Sequence, residues 1–279
     1  MSQIAVDPVS RHGPFPGRLE PQRIAEYAAA TGDETVCVLT GKAVPAVFPV
    51  ILAFAAQQAA NGDVPAAAWR QAHGGVHGGH DIVLHRPLIP RESLITFSEI
   101  SAVRTTRAGT QVVLHIEQID AGGAVAVEQW WTTVLLGLRS MADLGSTPDD
   151  HPFPDSARNH PIGSTMQHID ERIAHRYAEV SGDWSAHHFD IDAARATGFD
   201  FLFTHGLCTM AICTHRVLAL LGVRDPGRVR RVAVRFASPT PLGNDLIVNA
   251  YRSNEPSFAF EATCGGATVI TNGRLELRS

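Results

Sequence analysis

An internal repeat is the feature of this 279-residue chain that most constrains its fold. The segment from Arg23 to Asp33 (RIAEYAAATGD) aligns with the segment from Arg172 to Asp183 (RIAHRYAEVSGD) once one extra residue is allowed before the tyrosine. From Tyr27 to Asp33 the alignment has no gap, and the offset is 150 residues. A repeat with this offset predicts two structurally related units in one chain.

Each copy of the repeat is followed by one apolar helix and then by four strands. The helices are predicted over Pro49–Asn61 and Leu207–Leu221, and neither has a clean polar face, so each needs a sheet to cover it. The strands are predicted from runs rich in Val, Ile and Thr, with turns such as Asn254–Pro256 between them. They are Ile82–Arg86, Leu94–Arg104, Gln111–Asp120, Ala124–Leu136, Arg230–Ala237, Asp245–Arg252, Ser257–Cys264 and Thr268–Leu277.

The repeat divides the chain into two predicted domains, 1–142 and 160–279. The linker, 143–159, is rich in proline and aspartate and has no hydrophobic periodicity. The two copies differ at the fifth residue after the shared aspartate, which is Val38 after Asp33 and His188 after Asp183. An Asp–His pair is therefore present only in the second unit, and we expect the first unit to have lost catalysis.

The second copy places a carboxylate, an imidazole and a glycine-led helix within 33 residues, from Tyr177 to Thr209. Asp183 and His188 suit general acid and base catalysis, for which such side chains typically contribute about 10²–10⁴-fold. Gly206 precedes the apolar helix, whose first N–H groups can stabilise negative charge on a substrate oxygen. A single Gly-Asp is usually a turn and a single histidine usually a surface residue. Their combination at this spacing favours a catalytic site.

This run resembles the signature of the (R)-specific enoyl-CoA hydratases, also called hydratase 2 or MaoC-like dehydratases. In that family a Tyr, a Ser-Gly-Asp and a His five residues beyond the Asp recur. The resemblance implies an α+β double hot-dog fold, with Asp183 and His188 as the catalytic pair and Gly206 as a backbone donor beside the thioester carbonyl. It also implies reversible hydration of a trans-2-enoyl-CoA to an (R)-3-hydroxyacyl-CoA without a metal or redox cofactor, CoA being part of the substrate.

The chain departs from the family pattern in one loop, and the family also implies a use for the first unit. Ser185 and Ala186 stand where the family has Asn-Pro, and His187 stands where an aliphatic residue is usual, so we expect a looser loop and an altered rate. In double hot-dog hydratases a degenerate first unit houses the acyl chain. Small residues on the first helix would leave room for it here, namely Ala53, Ala55, Ala56, Ala59 and Ala60.

Three other functions are compatible with the sequence. One is a dehydratase of a specialised acyl thioester, such as a carrier-bound polyketide, a sterol side-chain or a branched dicarboxyl intermediate. Another is a non-catalytic acyl-CoA-binding subunit. A third is a thioesterase, because this fold supports both reactions, although the Asp–His spacing argues against it.

Composition and charge limit the partners and the cellular compartment that are compatible with the sequence. A net charge of −5 indicates no broad nucleic-acid-binding surface. No apolar stretch reaches the roughly 18 residues of a membrane span, and no signal segment is recognisable. Four cysteines without Cys-x-x-Cys spacing predict reduced core residues in a cytoplasmic protein. A homodimer is compatible with the sequence, but no feature demands one.

Of two clusters of basic residues, one suggests a further site. Arg228, Arg230 and Arg231 are candidates to contact the CoA phosphates, because guanidinium groups match phosphate oxygens. His73, His77 and His80 could suggest a metal site, but the glycines between them argue against the helix that would align them. The resemblance instead places His77 at a turn leading into the first strand.

Overall fold

The fold is taken from a computed structural model that describes residues 10–139, 143–149, 151–253 and 256–278. Asp150 of the predicted linker, and Asn254 and Glu255 of a predicted turn, lie outside these ranges. No helix in the described ranges combines the length and the hydropathy that crossing a membrane requires.

The elements of the two halves follow one another in a similar order. In the first half they are β1 (His12–Arg18), α1 (Pro21–Thr31), α2 (Val36–Leu39), α3 (Val50–Asn61), α4 (Ala66–Gln71), β2 (Gly75–Leu84), β3 (Ser93–Thr105), β4 (Gly109–Ile119), β5 (Val125–Leu136) and β6 (Leu144–Gly145). In the second half they are β7 (Pro161–Ile169), α5 (Ile173–Ser181), α6 (Ile191–Ala196), β8 (Phe203–Thr204), α7 (Gly206–Leu220), β9 (Val229–Phe236), β10 (Thr240–Pro241), β11 (Asn244–Arg252), β12 (Ser257–Cys264) and β13 (Ala267–Leu277).

The repeated segments adopt the same local structure. Helices α1 and α5 are followed by Gly32 and Gly182, which have φ angles of 69° and 85°. Glycine populates this left-handed region without the penalty that a Cβ imposes. The chain therefore leaves both helices in a similar way before the aspartate that follows. The two helices pack together, with the buried rings of Tyr27 and Tyr177 5.9 Å apart between centroids.

The two apolar helices are confirmed to within one residue at each end. Helix α3 packs against β3 and β4, and helix α7 packs against β7, β9 and β11. Three of the four cysteines, Cys208, Cys213 and Cys264, are buried as free thiols, whereas Cys37 is partly exposed.

A single antiparallel sheet packs against both helices. Its strand order is β1-β3-β4-β5-β2-β9-β13-β12-β11-β7, so the order of the first half is mirrored in the second. Strands β2 and β9 join the halves, with Asp81 opposite Ala233. Two long helices on one shared sheet form the double hot-dog arrangement that the sequence predicts.

The sheet also contains strands that the sequence analysis missed. Strands β1 and β7 are edge strands that pair with β3 and β11. Both contain prolines, which edge positions tolerate because one side of the strand makes no ladder hydrogen bonds. Within the predicted linker, Leu144–Gly145 pairs with β3, and Asp155–Asn159 forms a 3₁₀ turn.

The position expected for His77 is wrong. Strand β2 begins at Gly75, seven residues before the predicted start, so His77 lies in the strand, beside a bulge between His77 and Gly79. The glycines beside His77 serve close packing within the strand. A Cβ atom on Gly78 would lie 2.5 Å from Val134 Cγ2.

Candidate active site

Asp183 is held in place by the serine two residues further on. Its Oδ1 atom accepts hydrogen bonds from the Ser185 N–H at 3.1 Å and from the Ser185 hydroxyl at 2.6 Å. Its Oδ2 atom lies 4.0 Å from His205 Nε2 and accepts no hydrogen bond from the described residues. One carboxylate oxygen thus fixes the side chain, and the other is available as an acceptor.

His188 is a buried, neutral imidazole whose tautomer follows from one contact. It ends the short 3₁₀ turn Ala186–His188 and is 6% exposed. Its Nδ1 atom lies 2.9 Å from the carbonyl oxygen of Phe203, which can only accept, so Nδ1 carries the hydrogen and Nε2 remains an acceptor. Burial, reinforced by His205 and His187, lowers the pKa of His188 to about 2. His188 is therefore uncharged at neutral pH.

His205 links Asp183 to the start of α7. It is the N-cap residue of that helix, is 2% exposed, and donates from Nε2 to the main-chain oxygen of Asp183 at 2.9 Å. Its ring centroid is 3.7 Å from that of His188. Burial lowers the pKa of His205, although the negative charge of Asp183 opposes this shift. His205 was not among the site residues predicted from the sequence, and its contacts give it an orienting role.

Gly206 begins α7 directly beside these groups. The first hydrogen bond of the helix runs from the Thr209 N–H to the His205 oxygen at 3.0 Å, so the Gly206 N–H precedes the helical ladder. A Cβ atom on Gly206 would lie 3.2 Å from a ring carbon of Phe236. Glycine therefore leaves room between the helix start and Phe236.

One cavity of about 530 Å³ adjoins all four residues and extends into the first half of the chain. From the second half it is lined by Asp183, Ser185, His187, His188, Thr197, Phe199, Phe203, Thr204, His205, Gly206, Leu207 and Phe236–Thr240. From the first half it is lined by Phe54, Gln57, Gln58, Asn61, Trp69, Gly75, Val76, His77, Trp131, Thr133 and Leu136. Its volume is within the range of pockets that hold drug-sized ligands, about 300–1,000 Å³.

The alanines of α3 do not line this cavity, contrary to expectation. Helix α3 instead presents Phe54, Gln57, Gln58 and Asn61 to it. The sheet accounts for the difference, because Ala53, Ala56 and Ala60 are fully buried on another face of the helix.

The three arginines proposed for CoA phosphates lie elsewhere. None of them lines the cavity. Arg231 forms a bidentate pair with Asp81, Arg230 pairs with Glu276, and Arg228 donates to the main-chain oxygen of Arg278. A contact between any of them and CoA remains a prediction.

The equivalent position in the first half has a different environment. Asp33 is 7% exposed, and the fifth residue beyond it, Val38, is fully buried. His215 donates from Nε2 to the Thr31 oxygen at 3.0 Å near this position. The inner cavity that Asp33 shares with Tyr27 and His215 is only about 20 Å³, close to the space of one water. A larger open groove lies outside it, also without a histidine equivalent to His188.

Asp183, His188 and His205 are also close enough to hold a metal ion. Their candidate ligand atoms all lie within 4.8 Å of one another. The same arrangement suits one water molecule, because Asp183 Oδ2 and His188 Nε2 are both acceptors.

Comparison with known proteins identifies the family. The family described as the MaoC like domain matches residues 154–272. The 3-hydroxyacyl-thioester dehydratase X of Mycobacterium tuberculosis is 30% identical over 226 residues, which cover 80% of this chain and 74% of that protein. The chain belongs to the MaoC-like dehydratase family. Members of the family that are named hydratases and dehydratases are hydro-lyases.

Other relatives of this MaoC-like chain differ in length. The peroxisomal multifunctional enzyme type 2 of Drosophila melanogaster is 26% identical over 206 residues, which cover 73% of this chain. The matched segment spans only 34% of that longer protein.

Solved structures support the fold. A MaoC-like dehydratase from Phytophthora capsici superposes with a TM-score of 0.81 at 19% identity, over 98% of this chain and 96% of the other. A Mycobacterium tuberculosis protein described as a double hot-dog fold superposes with a TM-score of 0.59 at 14% identity, over 99% and 96% of the two chains.

Proposed function

We propose that the protein catalyses reversible hydration of a trans-2-enoyl-CoA to an (R)-3-hydroxyacyl-CoA, without a metal or redox cofactor. The observation that carries this proposal is that Asp183, His188 and Gly206 line one cavity, with Asp183 Oδ2 and His188 Nε2 left as hydrogen-bond acceptors. The related Mycobacterium tuberculosis protein is named for the reverse direction, dehydration of a 3-hydroxyacyl thioester.

The Asp183–His188 pair acts on water. A water molecule between them donates one hydrogen to each acceptor and directs an oxygen lone pair towards C3 of the enoyl group. As the C3–O bond forms, the pair takes one proton from the water, and the same proton is delivered to C2. No net proton is consumed. Burial disfavours the His188 cation in the resting enzyme, so the neutral ring is an acceptor when the water binds.

The helix start acts on the thioester. Addition at C3 moves electron density onto the thioester oxygen, and the Gly206 N–H donates a hydrogen bond to that oxygen. The positive end of the α7 dipole adds to the effect. Removing one such donor in other enzymes costs about 3–4 kcal/mol of transition-state stabilisation.

The deciding experiment follows the ultraviolet absorbance of the conjugated enoyl thioester in crotonyl-CoA and in a longer trans-2-enoyl-CoA, together with release of free thiol. We expect the enoyl absorbance to fall without thiol release, and a chiral assay of the product to give the (R) alcohol. Thiol release in step with substrate loss would indicate a thioesterase. Heat of binding with crotonyl-CoA but no product would indicate a non-catalytic acyl-CoA-binding protein.

A further inference from the structure

The wall that the first half contributes to the cavity contains a histidine whose hydrogen-bonding state is fixed by a buried chain of side chains. His77 lies on β2, on the wall that the first half contributes. Its ring stacks on Trp131, with centroids 4.5 Å apart and planes 3° from parallel, and packs beside Phe236 at 4.8 Å. The ring is thus held rigidly between two aromatic side chains of the cavity.

This chain of hydrogen bonds ends on a main-chain oxygen, and that oxygen determines which partner donates in each hydrogen bond. Gln118 donates to the Pro49 oxygen at 3.0 Å, and its own oxygen accepts from Gln129 at 3.2 Å. The Gln129 oxygen lies 3.0 Å from His80 Nε2, and His80 Nδ1 lies 3.3 Å from His77 Nε2. Because the Pro49 oxygen can only accept, the Gln118 and Gln129 amides and His80 Nε2 each donate in turn. The neutral His80 ring is then left with an acceptor at Nδ1, and His77 Nε2 donates to it.

His77 is therefore left with one free acceptor. Its Nε2–H is used by His80, so Nδ1 carries only a lone pair. Burial, together with the neighbouring His80, lowers the pKa of His77 well below its usual value and outweighs the opposing effect of a hydrogen bond to the Gly79 backbone, so the ring is uncharged. His77 is half-buried and is one of the residues that line the cavity.

The side chains around His77 add a second constraint on the acyl group that the cavity can hold. Phe54, Trp69, Trp131 and Phe236 supply flat apolar surfaces around His77, and no lysine or arginine lies among the described lining residues. A free carboxylate on the acyl group would thus meet an acceptor and no cation. A volume of about 530 Å³ also far exceeds the needs of a four-carbon acyl group.

We propose that this site takes acyl thioesters whose acyl group carries a ring and a hydroxyl group, and that the hydroxyl donates to His77 Nδ1. This rests on the proposed hydratase function and names its substrate class. His77 is then a specificity residue, and His80, Gln129 and Gln118 are positioning residues that fix its tautomer. A ring without the hydroxyl leaves a desolvated acceptor unpaired and is disfavoured.

The test compares cinnamoyl-CoA with its ortho-, meta- and para-hydroxy derivatives, with crotonyl-CoA as the reference for basic activity. We expect kcat/KM for at least one hydroxylated isomer to exceed that for cinnamoyl-CoA by about 10-fold or more. His77→Phe keeps the aromatic stack and should abolish that preference, whereas His77→Gln should retain part of it. His73→Phe changes an exposed histidine that does not line the cavity and should retain the preference in full.

A spectroscopic measurement tests the hydrogen-bond chain without activity. Nitrogen-15 shifts of the wild-type imidazoles should show the Nε2–H tautomer for His77 and His80 and the opposite, Nδ1–H tautomer for His188. An Nδ1–H tautomer at His77 would overturn the proposal, because the free nitrogen would then not be an acceptor.

Other outcomes separate the two proposals. If no hydroxylated isomer exceeds cinnamoyl-CoA while crotonyl-CoA is hydrated, the substrate class is wrong and the hydratase function stands. If His77→Phe lowers kcat/KM equally for crotonyl-CoA and the ring substrates, His77 serves the CoA portion and the proposal is wrong. If no enoyl-CoA is hydrated, the hydratase function fails, and calorimetric binding of the hydroxylated and unsubstituted cinnamoyl-CoA decides the ligand class by itself.

Discussion

The imidazole rings of His188 and His205 lie 3.7 Å apart, and each donates its N–H to a main-chain oxygen on the other side of the site. His188 donates from Nδ1 to Phe203, and His205 donates from Nε2 to Asp183. Neither ring therefore offers a proton to the cavity in the resting state. Two neutral rings in contact also avoid the repulsion that two buried cations would suffer.

If only the second half is catalytic, matched substitutions in the two halves should have unequal effects. Asp183→Asn and His188→Ala should each lower kcat for enoyl-CoA hydration by about 10²-fold or more, because each removes an acid–base group. Asp33→Asn is the matched control and should leave kcat nearly intact. Steady-state kinetics on the three variants decides the point. Equal damage from Asp33→Asn and Asp183→Asn would assign catalysis to both halves.

Acid should destabilise the protein through its buried histidines. Burial lowers the pKa of His80 to about 4 and that of His188 to about 2, whereas an unfolded histidine titrates near 6.5. Between about pH 4 and 6.5 the unfolded chain binds more protons, so the free energy of unfolding falls as the pH falls. Each group should contribute roughly 1 kcal/mol per pH unit in this window.

Denaturant unfolding at several pH values measures this effect. His80→Gln keeps a polar side chain beside Gln129 and should reduce the pH slope relative to the wild type. His73→Gln changes an exposed histidine and serves as the control. An unchanged slope in His80→Gln would mean that His80 is not a buried neutral group.

Gly206→Ala should slow the reaction through a steric contact. The new Cβ atom would lie 3.2 Å from the Phe236 ring and would shift the ring or the start of α7. Because the Gly206 N–H must aim at a substrate oxygen, we expect kcat/KM to fall on the order of 10-fold. The double variant with Phe236→Leu removes the contact and should recover most of the loss. Failure of that rescue would show that the glycine is required for another reason.

Arg231→Ala should affect stability more than substrate binding. The Asp81 carboxylate is 4% exposed and would lose its bidentate partner at the junction of β2 and β9. Breaking a buried pair from one side typically costs about 3–5 kcal/mol. The double variant Arg231→Met with Asp81→Leu should be far less damaging. A large rise in KM for CoA thioesters with unchanged stability would instead support the predicted phosphate contact.

Chelation should not affect the reaction. We expect the hydration rate to survive extensive dialysis against EDTA, because the proposed mechanism uses only side chains and the helix start. Added Zn²⁺ should inhibit, since Asp183, His188 and His205 offer ligand atoms within 4.8 Å of one another. Loss of activity on chelation, restored by metal, would contradict the proposed mechanism.

The sequence predicted the two long helices and most strands because their apolar runs carry the information locally. Strands β1 and β7 were missed because prolines mark loops more often than edge strands. Strand β2 began earlier than predicted because its glycines meet a neighbouring strand, a contact between segments far apart in sequence.

The same distinction applies to the candidate site. The pairing of Asp183 with His188 could be predicted because both lie in one short motif. The wall around His77 could not, because it forms only when α3, β2 and β5 meet the second half across the sheet. The hydrogen bond from His205 to the Asp183 oxygen was not predicted. The cytoplasmic location and pairing of two chains remain predictions.

Backbone hydrogen bonds between β2 and β9 join the two halves of this one chain in a single sheet. In a symmetric pair of identical subunits, every substitution would appear twice, once on each side of the axis. Joining the halves in one chain removes that constraint. One half of this chain carries Asp183 and His188, while the other carries Val38 at the position equivalent to His188 and contributes the cavity wall around His77.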